Sequence, residues 1–154
     1  MGNTLKKSIL IINGPNLNLL GQRLPKLYGS TTLDELENNI LKYYNNNEVE
    51  FIFFQSNHEG DIIDKMQQFS NLAKAKNNSK DCGIIINAGA YAHYSYAIRD
   101  TIEAISIPVI EVHISNVKNR EEFRKKLVFS EVCKKTISGK GLKGYFEAID
   151  FILN

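Results

Sequence analysis

The fold is decided near the N-terminus by a short apolar run that ends abruptly in polar and turn-forming residues, SILIINGPN (residues 8–16). An unbroken run of branched aliphatic residues is typical of a strand that is covered on both faces, as in a parallel sheet. The Asn-Gly-Pro-Asn that follows is a poor continuation of a strand, because proline lacks an amide hydrogen and glycine favours turns. The stretch therefore predicts a buried first strand that opens into a polar loop.

The same pattern recurs along the chain. Further short apolar runs lie at residues 49–55, 83–86, 107–113 and, more weakly, 133–137. Amphipathic helical patterns separate the runs at residues 32–45, 59–75, 94–104 and 142–153. Thr32 and Glu35 have the spacing of a capping box at the start of the first helix. Alternating strands and helices predict an α/β fold, and about five strands favour a flavodoxin-like, doubly wound parallel sheet of order 2-1-3-4-5.

Length and composition limit the classes of partner. The 154 residues fit a single domain, expected over residues 1–154, and 43% apolar with 23% charged residues is ordinary for a soluble globular protein. The net charge of +2 does not favour nucleic acid binding, and the apolar runs are too short for a membrane span. Cys82 and Cys133 are not at metal-ligand spacing, so we expect reduced thiols in a cytoplasmic protein without a metal.

Three polar loops are predicted to meet at one edge of this sheet. In an open sheet of this order, a ligand binds beyond the carboxyl ends of strands one and three, where the strand order reverses. The loops after these strands, residues 13–16 and 87–93, lie there, and the neighbouring strand four ends in Glu111, His113 and Ser115. The sequence therefore predicts a polar crevice formed by the three loops.

Several ligands that are common on this fold are disfavoured by the loop residues. A phospho-receiver site needs acidic side chains, where this chain has Asn13, Asn16 and Asn87. No GxGxxG follows the first strand and no GxxxxGK[ST] is present, while SGKG (residues 138–141) is typical of a turn and a helix start. No nucleophile elbow or metal-spaced cluster occurs, which disfavours hydrolase and metalloenzyme chemistry.

Arg23 and Tyr28 lie five residues apart in a loop bounded by proline and glycine. A protonated phenol is a poor base, whereas a neighbouring guanidinium favours the phenolate, which can abstract a proton. The spacing fits an ordinary exposed tyrosine, separated from the arginine by solvent, at least as well.

The end of strand four offers an acid and an anion site. Glu111 and His113 are two residues apart, so on a strand they face the same side, and the carboxylate can orient the imidazole as an acid. The backbone N–H groups of Ile114 and Ser115, with the Ser115 hydroxyl, suit a carboxylate ligand. The alternative is a structural histidine with Ser115 capping the strand.

The remaining candidates have equally plain alternatives. Arg120 and Arg124 in NREEFRKK lie at helical spacing, which is also typical of a solvated charged helix face. Asn87 also fits a simple turn, and His93 and Asp100 also fit surface positions. Only the convergence of these residues on one crevice favours a binding site.

Longer stretches resemble the type II 3-dehydroquinate dehydratases, or type II dehydroquinases. The matching stretches cover nearly the whole chain in order: INGPNLNLLGQR followed by P and YG, then QSNHEGDIID, INAGAYAHYSYAIRD, PVIEVHISN, REEFR and GLKGYFEAIDFI. The resemblance implies a hydro-lyase without a cofactor that eliminates water in the anti sense from 3-dehydroquinate, through an enolate, giving 3-dehydroshikimate in the shikimate pathway of chorismate and aromatic amino acid biosynthesis. The alternatives are quinate breakdown or a non-catalytic small-molecule binding protein of the same fold. A cytoplasmic homododecamer built from trimers is also implied.

The resemblance further implies a role for each candidate. Tyr28 would remove the C2 proton as a tyrosinate held by Arg23, and Asn16 would hold a water at the enolate oxygen. His113, oriented by Glu111, would protonate the leaving C1 hydroxyl. Arg120 would support the loop. The implied substrate contacts are Asn87, His93, Asp100 of a neighbouring subunit, Ile114, Ser115 and Arg124.

Two places depart from the family pattern. Leu24 stands where the family usually has glutamate, which removes a charged partner from the loop that carries Tyr28. The segment VFSEVCKKTISGKG (residues 128–141) replaces a Val-rich strand and small residues. At these two places the resemblance therefore does not predict how the loop closes or which subunit contacts form.

Overall fold

Five parallel strands form one sheet in the structure, a computed structural model that describes residues 6–46 and 48–154. The strands are β1 (Lys7–Asn13), β2 (Val49–Gln55), β3 (Cys82–Asn87), β4 (Val109–His113) and β5 (Lys135–Ser138). Their order is β2-β1-β3-β4-β5, and every neighbouring pair is parallel. The predicted flavodoxin-like fold and strand order are confirmed.

Helices cover both faces of the sheet. They are α1 (Pro25–Tyr28), α2 (Leu33–Tyr43), α3 (Glu59–Ala75), α4 (Tyr96–Ala104), α5 (Glu122–Lys125) and α6 (Lys143–Leu153). The predicted capping box is confirmed at α2, where the Glu35 amide donates to Thr32 Oγ1 at 3.2 Å and the Thr32 amide donates to Glu35 Oε2 at 2.8 Å. The one-turn helix α1 escapes sequence analysis because four residues are too few to show a period, and for α5 the sequence shows only the helical spacing of Arg120 and Arg124.

Some predicted boundaries shift for local reasons. The strand predicted from residue 107 begins at Val109, after Pro108. The helix predicted from residue 94 begins at Tyr96, because Ser95 caps it by accepting from the Ile98 amide. The fifth strand was predicted two residues early: the Cys133 amide donates to Phe129 O in a turn, and the ladder begins at Lys135.

The core forms two apolar layers, one on each face of the sheet. Ile9 and Ile11 contact the layer of α2 and α6, whereas Leu10 and Ile12 contact the layer of α3 and α4. Burial of each branched side chain stabilises the fold by about 1.5–3 kcal/mol. Because β1 and β3 are packed on both sides, the carboxyl ends of the central strands form a rigid platform.

The loops after β1 and β3 lie directly against each other at this platform. Asn13 and Asn87 are register partners, and the Gly14 amide donates to Asn87 O at 2.8 Å. A Cβ at Gly14 would lie 2.6 Å from the carbonyl oxygen of Ala88, so only glycine allows this approach.

Two findings bear on the predicted environment. Within residues 6–46 and 48–154, no helix combines the length and apolar character needed to cross a membrane. Cys82 and Cys133 are free thiols.

Candidate active site

A pocket lies at the predicted crevice, beyond the carboxyl ends of β1, β3 and β4. It holds about 710 Å³ of space, part of it open to solvent. All the predicted site residues except Glu111 and Asp100 line it: Asn16, Arg23, Tyr28, Asn87, His93, His113, Ile114, Ser115, Arg120 and Arg124. We call Asn87, Glu111 and His113 the floor of the pocket, and residues 23–28 its lid.

The floor holds an imidazole against a buried carboxylate. His113 Nε2 donates to Glu111 Oε1 at 2.8 Å, and Glu111 is fully buried. The other carboxylate oxygen, Oε2, accepts from Ser130 Oγ at 2.9 Å and from Thr136 Oγ1 at 3.1 Å. Because an ionised carboxylate only accepts hydrogen bonds, it places the imidazole hydrogen on Nε2. Among the described residues Nδ1 has no partner, so this nitrogen is free to exchange a proton in the pocket.

Sequence analysis missed Ser130 and Thr136. Thr136 lies within the predicted fifth strand and is the register partner of Glu111 in β5, but the apolar pattern does not specify the register between two parallel strands. Ser130 lies in a loop and carries no comparable signal. Nearby, burial and the charge of Glu111 raise the pKa of the Cys133 thiol to about 12, which keeps the thiol protonated.

The lid tyrosine lies close to two arginines. Arg120 Nη1 donates to the Tyr28 hydroxyl at 3.0 Å and also to Ser115 Oγ at 3.0 Å. The guanidinium carbons of Arg23 and Arg120 lie 5.7 and 5.8 Å from the centre of the Tyr28 ring. Arg120 thus contacts the tyrosine directly, beyond the general loop support inferred from sequence, and it joins the lid to the loop after β4.

Leu24 starts the lid helix with its main chain. Its φ of 41° is left-handed, and its carbonyl accepts from the amides of Leu27 at 2.8 Å and Tyr28 at 3.1 Å. Gly29, at φ 77°, closes the helix. A left-handed leucine carries backbone strain. Because the Leu24 carbonyl accepts these hydrogen bonds, they form even though a leucine stands where the family usually has glutamate.

Asn16 is held by a residue that sequence analysis did not assign. Its backbone is left-handed, at φ 68°, and its amide donates to Asn57 Oδ1 at 3.0 Å. The same oxygen accepts from Gln55 Nε2 at 3.2 Å, and the Asn57 carbonyl accepts from the Tyr91 hydroxyl at 2.9 Å. Asn57 therefore ties the loops after β1, β2 and β3 together beneath Asn16.

Asn87 is buried and bonded on both ends of its amide. Its Nδ2 donates to the Tyr145 hydroxyl at 2.9 Å, and its Oδ1 accepts from the Gly89 amide at 3.3 Å. Tyr145 is fully buried on α6, and burial raises the pKa of its hydroxyl. The helical pattern of the sequence marks Tyr145 only as an apolar-face residue, so the contact was missed.

Two backbone amides at the end of β4 are available to a ligand. Within residues 6–46 and 48–154, the N–H groups of Ile114 and Ser115 have no acceptor. Their carbonyls are fixed, because Gly141 N–H donates to Ile114 O at 3.0 Å and Ser138 Oγ donates to Ser115 O at 3.2 Å. Paired free amides of fixed orientation suit a carboxylate.

His93, Arg120 and Arg124 complete the wall. His93 Nδ1 donates to Lys126 O at 2.9 Å, and burial lowers the pKa of the imidazole. The side chains of Arg120 and Arg124 are only 11% and 21% exposed and line the pocket, although Arg124 Nε also donates to exposed Glu121 Oε2 at 2.9 Å. Arg120 also precedes α5, so the two arginines do not share a helix.

Asp100 lies apart from the pocket of its own chain. It sits on α4, is exposed and does not line the cavity. Its contribution from a neighbouring subunit stays a prediction.

The assembled groups are those of acid–base chemistry on a small anion. The pocket offers a phenol flanked by guanidinium groups, an imidazole fixed by a carboxylate, and free amides. In the part of the chain that the structure describes, no cluster of three or more His, Cys, Asp or Glu could hold a metal ion.

Known proteins are similar to this chain along nearly its full length. Residues 7–153 match the family model described as Dehydroquinase class II. The 3-dehydroquinate dehydratase of Caldicellulosiruptor saccharolyticus is 54% identical over 143 residues, covering 93% of this chain and 94% of that protein. The enzyme of that name from Bacillus licheniformis is 49% identical over 146 residues, covering 95% of each.

Solved structures agree. The type II dehydroquinase from Butyrivibrio crossotus has a TM-score of 0.87 at 49% identity, covering 97% of this chain and 99% of that one. The type II dehydroquinase from Propionibacterium acnes has a TM-score of 0.87 at 36% identity, covering 97% and 98%. The resemblance noted in the sequence is confirmed, and this chain belongs to the class II dehydroquinase family.

Proposed function

We propose that this protein is a 3-dehydroquinate dehydratase, a hydro-lyase that converts 3-dehydroquinate to 3-dehydroshikimate by anti elimination of water in the shikimate pathway. The observation that carries the proposal is one pocket with a lid phenol bonded to Arg120 and a floor imidazole bonded to Glu111. An acid and a base on different elements suit the removal of a proton and a hydroxyl from neighbouring carbons. Family membership and the names of the relatives support the same reaction.

The first step is proton abstraction by Tyr28. Hydrogen bonds from a guanidinium favour the charged form of an acceptor, so Arg120, with Arg23 beside the ring, stabilises a tyrosinate. The tyrosinate takes the proton from C2, and the electron pair moves onto the neighbouring ketone oxygen to form an enolate. A water held by Asn16 donates to that oxygen and stabilises its charge.

The second step is loss of the C1 hydroxyl. The enolate electrons return to form the C1–C2 double bond, and His113 Nδ1 donates a proton to the departing oxygen, which leaves as water. Glu111, bonded to Nε2 at 2.8 Å, stabilises the protonated imidazole and fixes its plane. The proton that Tyr28 has taken then passes through water to His113 Nδ1, which regenerates both the tyrosinate and the protonated imidazole.

Substrate binding uses the rest of the pocket. The amides of Ile114 and Ser115, the Ser115 hydroxyl and Asn87 bind the carboxylate. His93 and Arg124 bind the ring hydroxyls. The free amides support the first assignment, because a carboxylate is a strong acceptor for N–H groups that lack another partner.

We also propose a cytoplasmic homododecamer built from trimers, with one catalytic domain per chain and Asp100 reaching the pocket of a neighbour. The side chains of Tyr94 and Tyr96, at the start of the helix that carries Asp100, are 59% and 55% exposed, which suits a surface that another subunit covers. The Phe123 side chain, whose ring centre lies 6.1 Å from that of His93, is 58% exposed. Light scattering should give twelve times the chain mass of 17.5 kDa. A monomer of the same activity would contradict the assembly.

The test of the reaction is to add 3-dehydroquinate to purified protein and follow the ultraviolet absorbance of the conjugated enone product. We expect a steady rise. Folded protein that gives no rise would overturn the dehydratase, and binding without turnover would identify a non-catalytic binding protein. Borohydride added during turnover should leave the protein unlabelled, because the proposed steps form no Schiff base.

A further inference from the structure

Three buried polar side chains form a chain of hydrogen bonds beneath the pocket, from α6 across β3 and β1. The Tyr145 hydroxyl donates to Asn13 Oδ1 at 2.6 Å and accepts from Asn87 Nδ2 at 2.9 Å. Tyr145, Asn13 and Asn87 are 0%, 1% and 4% exposed. Of the three, only Asn87 lines the pocket. The hydroxyl thus connects the distant helix to one substrate-facing amide.

The direction of these bonds fixes which end of the Asn87 amide faces which neighbour. The Gly89 amide donates to Asn87 Oδ1 at 3.3 Å, so the oxygen must face Gly89. A hydroxyl has one hydrogen, and Tyr145 gives its own to Asn13, so it can only accept from Asn87. A flipped amide would set acceptor against acceptor at Tyr145 and donor against donor at Gly89. In the orientation observed, one of the two Nδ2 hydrogens remains for a pocket ligand.

An unpartnered donor supports this directionality. Asn13 Nδ2 is buried and has no hydrogen-bond partner among the described residues. If the Asn13 amide were turned, its nitrogen would donate to the Tyr145 hydroxyl, and the hydroxyl hydrogen would point at Asn87 instead. Asn87 Nδ2 already faces the hydroxyl, so two donors would then oppose each other. A buried amide donor without a hydrogen-bond partner normally destabilises the folded state. Its presence is explained if the orientation of Asn87 is the one that function requires.

We infer that Tyr145 is a positioning residue that holds the Asn87 amide with its donor available to the substrate carboxylate. This inference rests on the proposed function, in which Asn87 binds that carboxylate. Tyr145 acts only through Asn87 and does not line the pocket.

The test is Tyr145→Phe, which removes the hydroxyl and keeps the ring. Tyr44→Phe is the matched control, because the Tyr44 hydroxyl also bonds α6, at Asp150 Oδ1 (2.7 Å), away from the pocket. For Tyr145→Phe we expect KM to rise about tenfold, the value of one oriented hydrogen bond to a charged ligand, with kcat within about twofold. Tyr44→Phe should leave both within about twofold, even if both variants unfold at lower temperature.

Two results would overturn the inference in an active protein: an unchanged KM in Tyr145→Phe, or the same change in both variants. A wild-type protein without turnover would count against the proposed function alone. In that case calorimetric titration with 3-dehydroquinate tests the inference. The Tyr145→Phe variant should bind this ligand about tenfold more weakly than wild type, whereas Tyr44→Phe should bind it as wild type does.

A second variant keeps the inference testable if Tyr145→Phe does not fold. Asn13→Leu removes the acceptor of the Tyr145 hydrogen, so that the hydroxyl can turn and the Asn87 amide can flip. KM should rise in the same direction, by about threefold. No rise in folded Asn13→Leu would overturn the inference.

Discussion

The floor and the lid of the pocket are built in opposite ways. The floor residues Asn87, Glu111 and His113 are buried, and their side-chain hydrogen bonds connect β3, β4, β5 and α6. The lid, residues 23–28, lies at the surface, with Leu24 and Gly29 at positive φ on either side of its helix, and Arg120 donates to the Tyr28 hydroxyl. The fold therefore orients the proposed acid before substrate arrives, whereas the position of the proposed base depends on one contact between Arg120 and a one-turn helix at the surface.

This difference predicts different consequences of mutation. Changes in the lid should reduce activity and leave the free energy of unfolding nearly unchanged, because few buried contacts are lost. Changes in the floor should reduce both, because they disturb buried hydrogen bonds that also stabilise the fold.

Tyr28→Phe should have the largest effect. Loss of the general base should lower kcat by about 10³-fold, with the free energy of unfolding within about 0.5 kcal/mol of wild type. Steady-state kinetics and urea denaturation measure the two quantities. A near-normal rate would remove Tyr28 from its proposed role, and a large loss of stability would remove the distinction between lid and floor.

Glu111→Gln tests the floor and should come next. A neutral amide cannot stabilise a protonated His113, so we expect kcat to fall by about 10²-fold. The amide also sets a donor against the imidazole or against the hydroxyls of Ser130 and Thr136, which should lower the free energy of unfolding by about 1–3 kcal/mol. Steady-state kinetics and urea denaturation of the same sample measure kcat and the free energy of unfolding. An active variant, or an inactive one with unchanged stability, would contradict the floor described here.

Arg120→Lys tests the connection between the two regions. A lysine keeps the charge but lacks the planar group that reaches both the Tyr28 hydroxyl and Ser115 Oγ, so kcat/KM should fall by about 10-fold. Arg99→Lys is the control, because Arg99 Nη1 donates to Val128 O at 2.7 Å outside the pocket. Equal kinetics in both variants would show that the guanidinium geometry of Arg120 is unimportant.

Ser130→Ala should give the smallest effect. Thr136 still donates to Glu111 Oε2 in this variant, so we expect kcat to fall only about threefold and stability by about 1 kcal/mol. Ser56→Ala is matched to it, since Ser56 Oγ donates to Asp61 Oδ2 at 3.0 Å near the end of β2. If Ser56→Ala lowered kcat as much as Ser130→Ala, the effect would not report on Glu111.

The two regions also differ in how far the sequence predicts them. The apolar runs located the strands, and their number favoured the flavodoxin-like order, which placed Asn87 and His113 at one edge of the sheet. The lid offered no such pattern, because a helix of four residues shows no period, and the roles of Arg23 and Tyr28 came from family resemblance. Arg120 was assigned only loop support for the same reason.

The floor could be predicted only in part, because several of its contacts join segments that are far apart in the sequence. Tyr145 reads as an apolar residue in its helix, and the partner of its hydroxyl lies 58 residues away on β3. Asn57 likewise has no periodic signal, although it holds the amide of Asn16. Such hydrogen bonds depend on how helices settle on the sheet, which local patterns do not specify.

The sharpest test of a lid base working against a floor acid uses 3-dehydroquinate that carries deuterium at only one of its two C2 positions. If Tyr28 and His113 act from opposite faces of the ring, deuterium trans to the C1 hydroxyl is lost to solvent. Deuterium in the cis position is then kept in the 3-dehydroshikimate, as mass spectrometry of the product would show. Loss of the cis label with retention of the trans label would contradict this arrangement, because base and acid would then work from the same face.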